Sequence, residues 1–162
     1  VVPCDPGDDW VCQEGLWSCS KDNGKTPEHY RVVTLWDGTV FMVWRMVASR
    51  PKVESNLSAG GSAHLVADDM PSMLTLPRPL REMCMKLARV HKKELPGQIS
   101  LGWDVLTTCV DGVVDEAVAL EGNTSHGWCF PREGMAFGKD TWYTRMIQEY
   151  KRKFREHRAL MA

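Results

Sequence analysis

A chain of 162 residues is long enough for one domain with one sizeable core. Its 43% hydrophobic and 25% charged residues are the balance of an ordinary globular protein, and a formal net charge of -1 offers neither the basic excess of a nucleic-acid binder nor an acidic interaction tail. The longest apolar runs, such as residues 40–44, are far too short to span a bilayer.

The chain opens Val1-Val2-Pro3, with no methionine and no secretory pattern of charged and apolar regions. The expectation is a piece of something longer, working in the cytoplasm. Residues 10–16 form a short apolar segment ending in the pair Gln13-Glu14, and residues 20–27 are polar, glycine-containing loop. Residues 30–36 and 39–47 are β-rich runs separated by Asp37-Gly38, the strongest hairpin signal in the chain. Both runs are apolar on each face, so the hairpin is expected to be well covered.

Residues 49–62 read as loop, with Asn56 and Gly60-Gly61 inside. Leu80, Met83, Cys84, Leu87 and Val90 recur at helical spacing; the pattern predicts a helix over 77–95, with Pro79 in the first turn and Pro96-Gly97 as the stop. A second hairpin follows, with strands over 99–110 and 113–123 turning at Asp111-Gly112. Residues 125–138 are loop, and residues 140–160 form an amphipathic helix with Tyr143, Met146, Ile147, Tyr150 and Phe154 on one face. Hairpins with helices between them predict an α+β fold, an antiparallel sheet with flanking helices.

Cys4, Cys12, Cys19, Cys84, Cys109 and Cys129 are too sparse for a disulfide scaffold and contain no Cys-x-x-Cys pair for zinc. Mostly free, reduced thiols are expected. His29, His64, His91, His126 and His157 are scattered without His-x-x-x-His spacing, and only His126, close behind Glu121-Gly122-Asn123, is kept as a candidate. The sequons at Asn56 and Asn123 are expected to be coincidental.

Glu121 and Asn123 are two apart and share one strand face. With Asp111-Gly112 as a two-residue turn, Val110 opposes Val113, Asp104 opposes Ala119, and Asp104 lies diagonal to Glu121. Two carboxylates and an amide oxygen on one patch are the hard ligands that Mg2+ takes before completing its shell with phosphate and water. A solvated polar sheet face would carry the same residues. A single bulge would send Asp104 to the other face, and the acids Asp115 and Glu116 next to the turn could shift it.

In order, the chain presents Gln13-Glu14, Arg-Val-Val-Thr at 31–34, Asn-x-x-x-Gly-Gly at 56–61, Gly-Trp-Asp at 102–104 and Leu-Glu-Gly-Asn at 120–123. This series resembles the ATP-grasp superfamily, most closely its sugar-transfer-associated branch. The resemblance implies that residues 1–162 are a partial ATP-grasp domain, the C-terminal lobe, without the upstream lobe that bears a lysine and a phosphate-covering glycine loop. It implies ATP and Mg2+ as cofactors: Gln13 and Glu14 lining adenine and ribose, Asn56, Gly60 and Gly61 closing over phosphate, Asp104, Glu121 and Asn123 holding the metal, and Arg31 and Arg45 as catalytic charges toward phosphate or a carboxylate substrate. The implied activity is a ligase that activates a carboxylate, on a small molecule or linked to a sugar or peptide, as an acyl phosphate for attack by an amine or similar nucleophile. A non-catalytic domain of the same fold that acts through binding is the alternative. Neither nucleic acid nor membrane is an expected partner.

Overall fold

The computed structural model describes residues 28–48, 60–124 and 142–161. Five antiparallel strands form one sheet: β1 (Glu28–Leu35), β2 (Val40–Val47), β3 (Ser62–Ala67), β4 (Ser100–Val110) and β5 (Val113–Asn123), in the order β3-β2-β1-β4-β5. Three helices accompany it: α1 (Met70–Thr75), α2 (Arg78–Glu94) and α3 (Trp142–Met161). The expected α+β class with its antiparallel sheet, both Asp-Gly hairpins and both long helices are present.

Each hairpin turns where glycine permits a left-handed backbone, at Gly38 (φ 87°) and at Asp111-Gly112 (φ 51° and 77°). At Gly38 space adds a second constraint, because a Cβ there would sit 3.1 Å from Lys92 Cδ. β3 and α1 were not anticipated. β3 is a short edge strand opened by Gly60 (φ 89°), and α1 is a six-residue helix closed at its start by a reciprocal Asp69–Ser72 capping box.

α2 lies across one face of the sheet. Its buried Leu80, Cys84 and Leu87 meet Val32 of β1, Val43 of β2, Ala67 of β3, Val105 of β4 and Ala117 of β5. Met73 and Leu76 extend this core under α1. Deeper along α2, His91 is fully buried against Thr34. Its Nε2 lies 2.9 Å from the Gln98 carbonyl, which can only accept, so that nitrogen carries the proton. Burial lowers the His91 pKa and favours the neutral ring. Its Nδ1 then accepts from the Thr34 hydroxyl at 2.8 Å, while Thr34 Oγ1 accepts from Trp103 Nε1 at 2.8 Å. Every donor in the chain Trp103–Thr34–His91–Gln98 thus points the same way.

α3 reaches the tip of the first hairpin, where Lys153 binds Asp37 and His157 stands edge-on to Trp36 with ring centroids 5.3 Å apart. Of the apolar face expected on this helix, only the Phe154 side chain is described, and it is 38% exposed. No helix among the described residues is long and apolar enough to cross a membrane.

The expectation of free thiols is corrected at one position. Cys109 is disulfide-bonded, while Cys84 is free and buried, its pKa pushed up to about 12 by that burial. Cys4, Cys12, Cys19 and Cys129 lie outside the described residues. A disulfide persists where thiols are oxidised, which runs against a reducing compartment.

Candidate functional site

β4 and β5 set the geometry, and their register departs from an uninterrupted ladder. Val110 opposes Val113 as the turn requires, but Cys109 pairs with Val114 and Thr108 with Glu116, leaving Asp115 over. Val105 pairs with Ala119 and Asp104 with Glu121, leaving Leu120 over. β5 therefore carries two bulges. One alone would have put Asp104 and Glu121 on opposite faces; two restore the parity. Asp104 is opposite Glu121, not Ala119, and the antiparallel spacing brings their Cα atoms to about 4.5–5.5 Å. Asn123, opposite Gly102, lies on the same face as Glu121.

This face is turned away from α2. Arg31 of β1 also belongs to it, because Arg31 opposes Asp104 on one side and Trp44 on the other. The guanidinium grips the Asp104 carboxylate with two parallel bonds, Nε to Oδ1 at 2.5 Å and a terminal nitrogen to Oδ2 at 2.9 Å. His29, two residues earlier on β1, brings Nε2 to 3.5 Å from Oδ1. Burial alone would raise the Asp104 pKa; the contacts from His29 and Arg31, with the guanidinium charge, outweigh it and bring the value down to about 2. The side chains of Arg31 and Asp104 are 17% and 13% exposed, so the pair is well shielded.

Glu121 is exposed and accepts from Asn123 Nδ2 at 2.8 Å. Behind these residues, on the α2 face, Trp103 opposes Gly122 and occupies the space that a side chain there would need. The sequence runs Gly-Trp-Asp and Glu-Gly-Asn are therefore interlocked, ring over glycine on one face and carboxylate beside carboxylate on the other.

Arg45 is not brought to this patch. It opposes Tyr30 and lies on the α2 face, with Nε 3.9 Å from Glu28 Oε2. Burial, followed by the Glu28 charge, raises the Tyr30 pKa. Gly60 and Gly61 lead into β3, four strand spacings or roughly 19 Å across the sheet from β5. Gln13, Glu14, Asn56 and His126 lie outside the described residues.

Among the described residues no group of three or more His, Cys, Asp or Glu side chains is placed to hold a metal ion. The patch has two carboxylates and an amide instead. A carboxylate offers about four acceptor positions. Arg31 takes two of those on Asp104, and Glu121 Oε2 and Asn123 Oδ1 make no hydrogen bond among the described residues. These oxygens are hard donors, and the cation that Asp104 already holds is the Arg31 guanidinium. A separate cleft of about 250 Å³, between α1 and α2, is lined by Met70, Met73, Arg81, Glu82, Met85 and Arg89 and lacks such a convergence of oxygens.

The sequence reading passed over His29. Its only signal is strand spacing, two residues from Arg31 and so on the same face, which becomes informative only once β1 is known to lie beside β4. The chain matches no protein-family model and no curated protein.

Proposed function

We propose that this chain is the Mg-ATP-binding part of an ATP-grasp ligase-like protein, which activates a carboxylate as an acyl phosphate for attack by an amine or similar nucleophile. The observation that carries the reading is the direct opposition of Asp104 and Glu121, with Asn123 on the same face, beside the cation Arg31. Asp104, Glu121 and Asn123 would hold magnesium, which neutralises phosphate charge when bound. Arg31 supplies a fixed charge to the same face, suited to a phosphate or a substrate carboxylate. Gly60 and Gly61 permit the close backbone approach that an anion-covering loop needs. Arg45, on the other face and near Glu28, has a local ion-pair role.

Calorimetry with Mg-ATP tests the site. Glu121→Gln should lose Mg-dependent nucleotide binding with the fold intact, whereas Glu116→Gln, opposite Thr108 near the turn, should retain it. Equal loss in both variants, or in neither, would sink the assignment.

The second reading is a non-catalytic binding domain of the same fold. It is favoured by the shielded Arg31–Asp104 pair, which can serve architecture alone. Phosphate release in the presence of candidate carboxylates separates the two.

A further inference from the structure

The cleft between α1 and α2 lies on the other side of the sheet from Arg31 and Asp104. Its volume of about 250 Å³ falls short of the roughly 300–1,000 Å³ of small-molecule sites and suits one bulky side chain. Met73, which is buried, and Met70 and Met85, 64% and 39% exposed, line it. Methionine adapts to apolar partners of varied shape. Leu74, one turn after Met70 on α1, continues the apolar surface and is 63% exposed. The cleft is formed in advance. The Asp69–Ser72 capping box fixes the start of α1, and Arg81 Nη1 donates to the Leu74 carbonyl at 3.1 Å, tying α2 to the end of α1.

Charge selects the occupant. α2 carries Arg78, Arg81, Lys86, Arg89, Lys92 and Lys93 against two glutamates. Both glutamates are spoken for, Glu82 by Arg78 and Glu94 by Lys93, each at 2.7 Å. Arg81, Lys86 and Arg89 have no acidic partner among the described residues. Lys86 and Arg89 lie one turn beyond Glu82 on the cleft's side of the helix. The whole chain has a formal charge of -1, so this positive field is local.

We propose that the α1–α2 cleft docks an acidic amphipathic segment of a partner protein. One bulky apolar side chain sits among Met70, Met73 and Met85, and flanking carboxylates face Arg81, Lys86 and Arg89. The charges guide the encounter and the apolar anchor holds the complex. An anionic lipid surface would meet the same cations, but it has no knob to fill a recess lined by a buried methionine.

Selection from a random peptide library displayed on phage, with the full chain immobilised, tests the proposal. Enriched peptides should share a Leu, Phe, Trp or Met anchor flanked by Asp or Glu. Their synthetic forms, followed by fluorescence anisotropy, should bind Arg89→Glu about tenfold more weakly than the parent and should lose affinity as salt rises. The double variant Met70→Ser, Met85→Ser should weaken them by a similar factor. All three positions are exposed, so the thermal transitions should not move. Lys151→Glu, an equal charge reversal on exposed α3, should bind as the parent does. No enrichment, enrichment of peptides without acidic flanks, or equal losses in Lys151→Glu and Arg89→Glu would overturn the proposal. So would phosphatidylserine vesicles that bind the parent and not Arg89→Glu while acidic peptides bind neither, which would give the cleft to a membrane. A dimer of this chain that dissociates in Arg89→Glu would give it to a second copy and overturn the proposal as well.

Discussion

The indole of Trp103 lies against Gly122, so closely that a Cβ on Gly122 would come within 2.7 Å of ring atom Cζ3. Trp103 is itself tethered to Thr34 through Nε1, so the ring is not free to swing aside. Gly122→Ala should therefore force the ring from its bond or part β4 from β5, at a cost of about 1–3 kcal/mol. A denaturant midpoint unchanged from the parent would show that the ring yields freely. Glu121 and Asn123 are both carried by the strand segment so distorted.

The Asp104 carboxylate ties acid stability to the candidate site. Its pKa is lowered from 3.8 to about 2 in the fold. The unfolded chain takes up its proton first as pH falls, so the contribution is fully present above about pH 4 and is lost between there and pH 2. At 1.36 kcal/mol per unit the loss is roughly 2 kcal/mol. Urea titrations at pH 5 and pH 2.5 should show this fall in the parent and a smaller one in Asp104→Asn.

His91 acts in the opposite chemical sense within the same acid limb. Burial holds its pKa below the ordinary 6.5. The unfolded chain therefore binds a proton that the folded ring resists, and stability should decline as pH drops below about 6.5. Thr34→Val removes the acceptor of Trp103 and the donor to His91 together, leaving buried groups unpaired at roughly 1–3 kcal/mol each. The decline near pH 6 should be absent in His91→Gln. Its persistence there would place the titration elsewhere.

Cysteine chemistry divides the described thiols cleanly. Cys84 should resist thiol reagents in the native protein, being buried with a pKa of about 12, and react once the chain is denatured. Peptide mapping without reductant should recover Cys109 in a cross-linked peptide that disappears on reduction. A Cys109 that is alkylated without prior reduction would refute the bond.

The hairpins, the long helices and the α+β class were legible because local chemistry decides them: Asp-Gly at each turn, and apolar spacing along α2. β3 and α1 were not, because six residues are too few to show a period. That Asp104 and Glu121 share a face was anticipated through a register that proved incomplete. The turn and the parity held, while the bulges at Asp115 and Leu120 moved the opposing residue from Ala119 to Glu121. The Arg31–Asp104 pair joins residues separated by 73 positions. It depends on β1 lying against β4, a pairing of strands from different hairpins that no local pattern announces.

The two bulges on β5 also make that strand an unusual place to lose or gain a residue. Removing either Asp115 or Leu120 leaves the composition and length of the hairpin almost untouched, and the apolar residues near the turn would still find partners. Every pair beyond the deletion would keep its partner as well, because each of these two is the residue left over at its bulge, and Glu121 would still oppose Asp104. Deleting both would leave an uninterrupted ladder with the same opposing residues. Single-residue losses from β5 should therefore be absorbed at its bulges with Asp104 still facing Glu121, a tolerance of counting that leaves no trace in the chemical character of any single residue.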